Sequence, residues 1–548
     1  MSSLFYSRAT VYCPAMHDLI VRGGSVVDGT GAPARRVDVA VANGRIVALG
    51  RELGEAARVI DATGLVVAPG FIDIHTHSDY ALPTNPRAES KIRQGVTTEV
   101  VGNCGYSVAP VPADRVAALR DYLAASGPWY DFRETSFARY VEEFPPTSVN
   151  VALQVGHNTL RLIVAGMEPR PLRSDELARM TRYLEEGLDA GAIGLSSGLF
   201  TPPGSFASAE EMRALGDVLR RHDAAYASHV RNEAGRVFDA VDEAIAVGER
   251  SGVHVQIGHL KVSGTENWGA APRLVERIEA ARARGVRVDC DQYPYTTATN
   301  PLRNLLPPWI QQGGMEAMVA RLGDKAVRTR VADEIAARGC GAFGRLPSWD
   351  AVRIALTVAH PEHAGRTIGE IATERGRDGL ETLCDVLLAD RGATRVVFES
   401  MAEDDVQTIL GTPWVVIGSD GVAMAPYGPT AGGKPHPRYY GTFARVLGRY
   451  VRELKTLSLE AAVWKMTGGS AAALGLVDRG LVREGLAADL TVFDPATVGE
   501  RGTYTDPHRY AAGIRTVVVN GAVVIDGAEH TGALPGRVLR RSARGLAA

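Results

Sequence analysis

Cysteine is scarce in this chain. Cys13, Cys104, Cys290, Cys340 and Cys384 are the five among 548 residues. A small, odd number excludes a dense disulfide framework and fits reduced thiols in the cytoplasm. Each cysteine is by default a small buried apolar residue. Long apolar runs are also missing: no uninterrupted stretch reaches the roughly 18 residues that span a bilayer. The first residues lack the apolar core of a secretory signal. The ordered-looking pattern begins at His17, with Met16 as an alternative start, so residues 1–16 are left out of the fold reading. An excess of one charge is absent as well. Lys and Arg total 60 against 63 Asp and Glu, a net charge of −3, which gives no reason to expect nucleic acid or a membrane as partner. No internal repeat or low-complexity tract is found. What remains is an ordinary globular composition, 45% hydrophobic and 22% charged, on a chain long enough for a barrel plus appendages.

The two chain ends share one pattern. Residues 17–67 read as short strands and tight turns, with Asn43-Gly44 as a hairpin signal because both positions tolerate positive φ. Residues 476–548 repeat it, including a second Asn-Gly at 520–521. Together they predict one small β-sandwich domain formed by both ends. The middle, 68–475, alternates strands with helices of three-to-four-residue apolar spacing, such as 181–191 and 237–250. Strand-like runs at 64–74, 96–101, 149–155, 192–196, 224–230, 253–260, 286–293 and 414–419 predict an α/β fold, a TIM-like (β/α)8 barrel. The segment of about 300–410, before the last barrel strand, is longer than a connection requires and reads as an insertion or lid near the mouth.

In such barrels the chemistry gathers at the carboxyl ends of the strands. FIDIHTHSD (71–79) carries His75 and His77, which as i and i+2 on a strand share one face. Two unrelated histidines are the bland alternative, but the position at the close of an apolar strand favours metal or catalytic duty. Cys104, in VVGNCG (100–105), is a soft zinc donor at the end of the second strand or simply a buried thiol. His229, in ASHVRNE (227–233), and His259, in QIGHLK (256–261), end the fifth and sixth strands. Either alone could be a core histidine; the pair favours zinc ligation. Arg231 and Lys261 repeat the i, i+2 relation and would share the inward face. A cation beside a metal needs an anion, so Lys261 is read as holding a substrate carboxylate. For Arg231 an internal salt bridge, to Glu233 or Asp420, is preferred over substrate binding. Asp420, in VIGSDG (416–421), is either a general acid/base or a turn cap before glycine.

Taken together, these motifs resemble the amidohydrolase superfamily, and within it the N-acyl-D-amino-acid deacylases, or D-aminoacylases. The likeness runs from His17 onward through LIVRGGSVVDGTG (19–31), PGFIDIHTHSD (69–79), GNCG (102–105), GLSSGL (194–199), HVRNE (229–233), GHLK (258–261), DQYPY (291–295) and GSDG (418–421). It implies hydrolysis of the amide of a small-molecule N-acyl-D-amino acid. Zn2+ would sit tightly on Cys104, His229 and His259, with His75 and His77 lining a second, weaker metal position or aiding catalysis. Asp420 would be the acid/base. The family's tyrosine after Gly-Leu near the fourth strand is absent: this chain reads LFTPPG (199–204). Its hydroxyl would then come from elsewhere, with Tyr293 or Tyr295 as candidates, and substrate preference is open. Two alternatives stand beside this reading. A cyclic amidase of the hydantoinase or dihydroorotase type would use a carboxylated lysine on the fourth strand, where GLSSG (194–198) has none. A non-catalytic scaffold would be expected to have lost ligands.

Overall fold

The computed structural model describes residues 16–542 and 545–547; Cys13 and most of the 1–16 segment lie outside them. Eight parallel strands form the barrel in chain order: Phe71–Asp73, Val96–Val101, Asn150–Gly156, Gly194–Gly198, Ala225–His229, Val255–Ile257, Val288–Gln292 and Val415–Ile417. Neighbours pair parallel from the first to the eighth. The seam between eighth and first strands closes just past their ends, where Thr76 bridges Gly421. There Asp420 N donates to His75 O and His77 N to Gly421 O, both at 2.8 Å.

The expected single strand over 64–74 is two. Val66–Pro69 belongs to an end sheet and Phe71–Asp73 to the barrel. Gly70 is the joint: its N–H donates to Asp489 O at 2.8 Å, and a Cβ there would meet Thr97 Oγ1 at 2.1 Å. The backbone passes too close to its neighbour for any side chain.

Both chain ends build the sandwich. One sheet holds His17–Arg22, Asp38–Ala42, Arg45–Gly50 and Ala56–Asp61. The other combines Ser25–Val26 and Val66–Pro69 with Leu490–Phe493, Ile514–Val519 and Ala522–Asp526. Leu19, Val39 and Val41 of the first sheet pack with Val67, Leu490, Val492 and Val518 of the second. Both Asn-Gly pairs turn with positive φ, Asn43 at 51° and Asn520 at 48°, as hairpins of that type require. Val538–Ser542 leaves the sandwich and pairs with the third barrel strand.

Between the seventh and eighth strands the chain builds its own antiparallel sheet, Thr297–Pro301, Arg395–Glu399 and Val352–Leu356, in that spatial order. The helix Glu403–Gly411 packs against Ala271–Ala283 and the eighth strand, so it belongs with the barrel's outer helices. No described helix is long and apolar enough to cross a membrane.

Candidate active site and metal centre

The barrel strands stop one to three residues short of most site residues, which sit on the turns that follow. Cys104, His259 and Asp420 take φ of 53°, 37° and 47°. Left-handed backbone at a non-glycine residue costs on the order of 1–3 kcal/mol and persists where the surroundings over-determine it. Here it swings three side chains toward the barrel axis. The closing seam brings His75, His77 and Asp420 together: His77 Nε2 lies 3.0 Å and His75 Nε2 3.9 Å from Asp420 Oδ1.

Two donor groups result, each with ligand atoms within 4.8 Å of one another: His75, His77, Cys104 and Asp420; and Cys104, His229 and His259. Cys104 belongs to both. Its Sγ is 3.2 Å from His75 Nε2 and 3.4 Å from His259 Nε2. All six residues are buried, and His229 Nε2 has no hydrogen-bond partner. A buried, unpartnered imidazole nitrogen beside a thiol and a second imidazole suits a soft divalent metal such as zinc. Burial, opposed by Glu233, holds His229 well below the usual imidazole range. Burial and then the Lys261 ammonium do the same to His259. Both are therefore neutral, the form that ligates. Burial pushes the Cys104 thiol up, with His75 opposing; a bound cation would favour the thiolate.

Outer partners fix these ligands. Asp291 accepts from His259 N at 2.9 Å and from Gln256 Nε2 at 2.8 Å, and faces His75 Nδ1 at 3.1 Å. Glu233 Oε1 lies 3.2 Å from His259 Nδ1 and 3.5 Å from His229 Nε2. Arg438 Nη2 lies 2.7 Å from Asp420 Oδ2. Burial opposes ionisation of Asp420, but the Arg438 guanidinium, with the hydrogen bond from His77, outweighs it and holds its carboxyl well below the usual range.

The structure corrects the inward-facing pair of cations. Arg231 lies beyond the end of its strand, where alternation no longer applies. Its guanidinium turns to Glu243, at 2.8 Å, and to the carbonyls of Ser205 and Ala207. It is an internal ion pair, but with neither Glu233 nor Asp420, and does not line the site. Lys261 follows the left-handed His259. Its ammonium sits 2.5 Å from Glu233 Oε1 and 2.6 Å from His259 Nδ1, already holding a carboxylate of the protein. The Tyr293 ring lies under the Arg438 guanidinium at 4.4 Å and the Lys261 ammonium at 5.3 Å. Tyr295 donates to Glu500 at 2.8 Å, away from the donor groups. His157 faces Glu211 at 2.7 Å behind the barrel wall. In the acidic stretch 401–405, Asp405 accepts from Gly269 N and Ala271 N at the start of a barrel helix.

The cavity beside the donor groups is walled by His77, Cys104, His229, His259 and Asp420 together with residues the sequence did not single out: Tyr80, Tyr106, Ser126, Thr299 and Arg395. Phe200, at the departure from the family pattern, stacks on His229 with ring centroids 3.7 Å apart and planes at 19°. An apolar ring thus covers His229 at the place where the family's tyrosine is absent. On the fourth strand, Ser196 donates to Gly102 O and accepts from Gly105 N at 2.9 Å; the strand itself, GLSSG (194–198), carries no lysine.

Comparison with known proteins agrees with this geometry. Residues 58–525 match the model of the amidohydrolase family. The chain is 39% identical to the D-aminoacylase of Alcaligenes xylosoxydans xylosoxydans over 96% of its length and 98% of that protein's. A solved D-aminoacylase with a binuclear metal centre superposes with a TM-score of 0.81, at 39% identity, covering 96% of this chain and 100% of the other. An N-acyl-D-glutamate deacylase from Bordetella bronchiseptica, holding zinc and a phosphonate mimic of the tetrahedral intermediate, superposes with a TM-score of 0.79, at 34% identity, with 96% and 100% covered. The chain is a metal-dependent hydrolase that belongs to the amidohydrolase family, in its D-aminoacylase group.

Proposed function

We propose that this protein hydrolyses the amide of N-acyl-D-amino acids, releasing a carboxylate and a D-amino acid. The observation that carries the proposal is the Cys104 thiol, shared between two donor groups that a carboxylated lysine would otherwise join. Cys104, His229 and His259 would hold one zinc tightly, and His75, His77 and Asp420 would line a weaker second position against the same thiol. The D preference rests on the relatives' activities.

When bound, zinc acidifies a water and polarises the amide carbonyl. The protein's own part centres on Asp420. Arg438 keeps it ionised, the form that removes a proton from the attacking water. Asp420 then passes that proton to the departing nitrogen. An N–H of His77 or His75 faces the developing oxyanion. Asp291 and Glu233 hold the imidazoles in orientation. Tyr293 and Lys261 support the substrate's end of the site through the same Arg438 and Glu233 network, Lys261 reaching a substrate carboxylate only by exchange with Glu233. The buried free cysteines Cys104, Cys290, Cys340 and Cys384 support a reducing, cytoplasmic setting.

The test is metal dependence with a defined product. Chelation should abolish release of the D-amino acid from an N-acetyl-D-amino acid, and about one equivalent of zinc should restore it. Undiminished activity in a preparation shown to be metal-free would reject the proposal.

A further inference from the structure

One buried ammonium connects the segments that carry His75, His77 and Asp420. Lys91 lies on the one-turn helix Glu89–Ile92, between the first and second barrel strands. Its side chain is sealed from solvent, as are Asp73, Ser78, Glu99 and Ser419 around it. Its Nζ donates to Asp73 Oδ2 at 2.8 Å and to Ser419 Oγ at 2.5 Å, and lies 4.0 Å from Glu99 Oε2.

Each contact leads to a site residue. Asp73 ends the first strand, two residues before His75, and its Oδ1 accepts from Ser419 N at 2.8 Å. Ser419 Oγ accepts in turn from Gly421 N at 3.0 Å. Asp420, with its left-handed φ of 47°, is therefore gripped on both sides. Glu99 Oε2 accepts at 2.5 Å from Ser78 Oγ, the neighbour of His77, and Ser78 Oγ accepts from Ala423 N at 2.9 Å. Gly421 leaves room for the ammonium: a Cβ there would meet Ser419 Oγ at 2.9 Å and Lys91 Nζ at 3.1 Å. A buried polar network with its members paired holds one arrangement. These hydrogen bonds run to the first, second and eighth strands, not to the fifth and sixth, which carry His229 and His259.

We propose that Lys91 is the positioning residue of the second donor group: its ammonium fixes Asp420 relative to His75 and His77, and so the aim of the acid/base. This rests on the deacylase reading given above. Lys91 acts only through Asp73, Ser419 and Glu99.

Two variants test it. Ser419→Ala removes the hydroxyl that links Lys91 to the Asp420 turn and keeps the Lys91–Asp73 pair. Lys91→Met combined with Asp73→Asn removes that pair together, so that neither charge is stranded without the other. Each is compared with wild type for kcat and KM on N-acetyl-D-leucine, for zinc retained through dialysis, and for calorimetric affinity toward further added zinc. Retained zinc should match wild type. The kcat should fall about 10–100-fold, the scale of a displaced catalytic group, with KM within about threefold. Further zinc should bind about tenfold or more weakly. A merely structural role would lower the melting temperature and leave kcat and zinc affinity of the folded protein unchanged. A kcat of Ser419→Ala within about threefold of wild type overturns the proposal, as does loss of the retained zinc along with activity, which would mark a general collapse of the site. Should the paired variant not fold, Ser419→Ala decides alone. If wild type hydrolyses no N-acyl-D-amino acid, the deacylase reading falls, and crystal structures of wild type and Ser419→Ala decide Lys91. It stands if the distance from His77 Nε2 to Asp420 Oδ1, 3.0 Å here, changes by about 0.5 Å or more, and fails if that distance is kept.

Discussion

Cys104 Sγ and His75 Nε2 meet at 3.2 Å. Through this contact the thiol that closes one donor group, with His229 and His259, also enters the other, with His77 and Asp420. Replacing it should therefore disturb both. Cys104→Ala is expected to fold but not to retain stoichiometric zinc through dialysis, and to lose turnover with it. Full zinc retention in the purified variant would contradict the shared-ligand role.

Asp420 should separate metal binding from chemistry. Asp420→Asn keeps a donor oxygen and leaves Cys104, His229 and His259 in place. It should retain the tight zinc and lose about 10²–10⁴-fold in kcat, the usual range for a general acid/base. Metal analysis and steady-state kinetics on the same sample check it.

Glu233 touches no reacting atom but lies within 3.5 Å of both His229 and His259. Glu233→Gln should weaken zinc affinity by about 10–100-fold, the scale of an outer-partner loss at a metal ligand. Competition against a chelator of known affinity measures it. At saturating zinc, kcat should largely return.

A pH effect away from the site concerns Glu176. Hydrogen bonds from Arg170, against burial and with help from Arg173, bring its carboxyl down to about 2. A depressed carboxyl contributes stability above its unfolded value and loses it as pH falls toward the folded one. Because Arg170 and Arg173 are 35% and 63% exposed, solvent screening reduces the benefit to about 1–2 kcal/mol. Glu176→Gln should be less stable by that amount at pH 7 in chemical denaturation. The gap should narrow as pH drops below about 4.

The barrel, the insertion and the two-ended sandwich were legible because alternation, helical spacing and Asn-Gly turns are local signals. Residues such as His75, Cys104, His259 and Asp420 were legible because each ends a strand-like run. What failed was the extension of strand alternation past those ends. Arg231 lies past the end of its strand and turns to Glu243, while Lys261 follows the left-handed His259 and pairs with Glu233, so the two do not face inward together. The 64–74 run looked continuous because the close approach at Gly70 depends on Thr97, a residue far along the chain. Arg438 and Arg395 carried no local signal: one follows Asp420 by a loop, and the other reaches the cavity only through the insertion's sheet.

The most direct test of the account is a panel of N-acetyl-D- and N-acetyl-L-amino acids, assayed for amine release with zinc content measured on the same sample. Release from the D series by zinc-bearing protein, with the L series slow or inert, is the predicted result. Hydrolysis of the L series alone would contradict it.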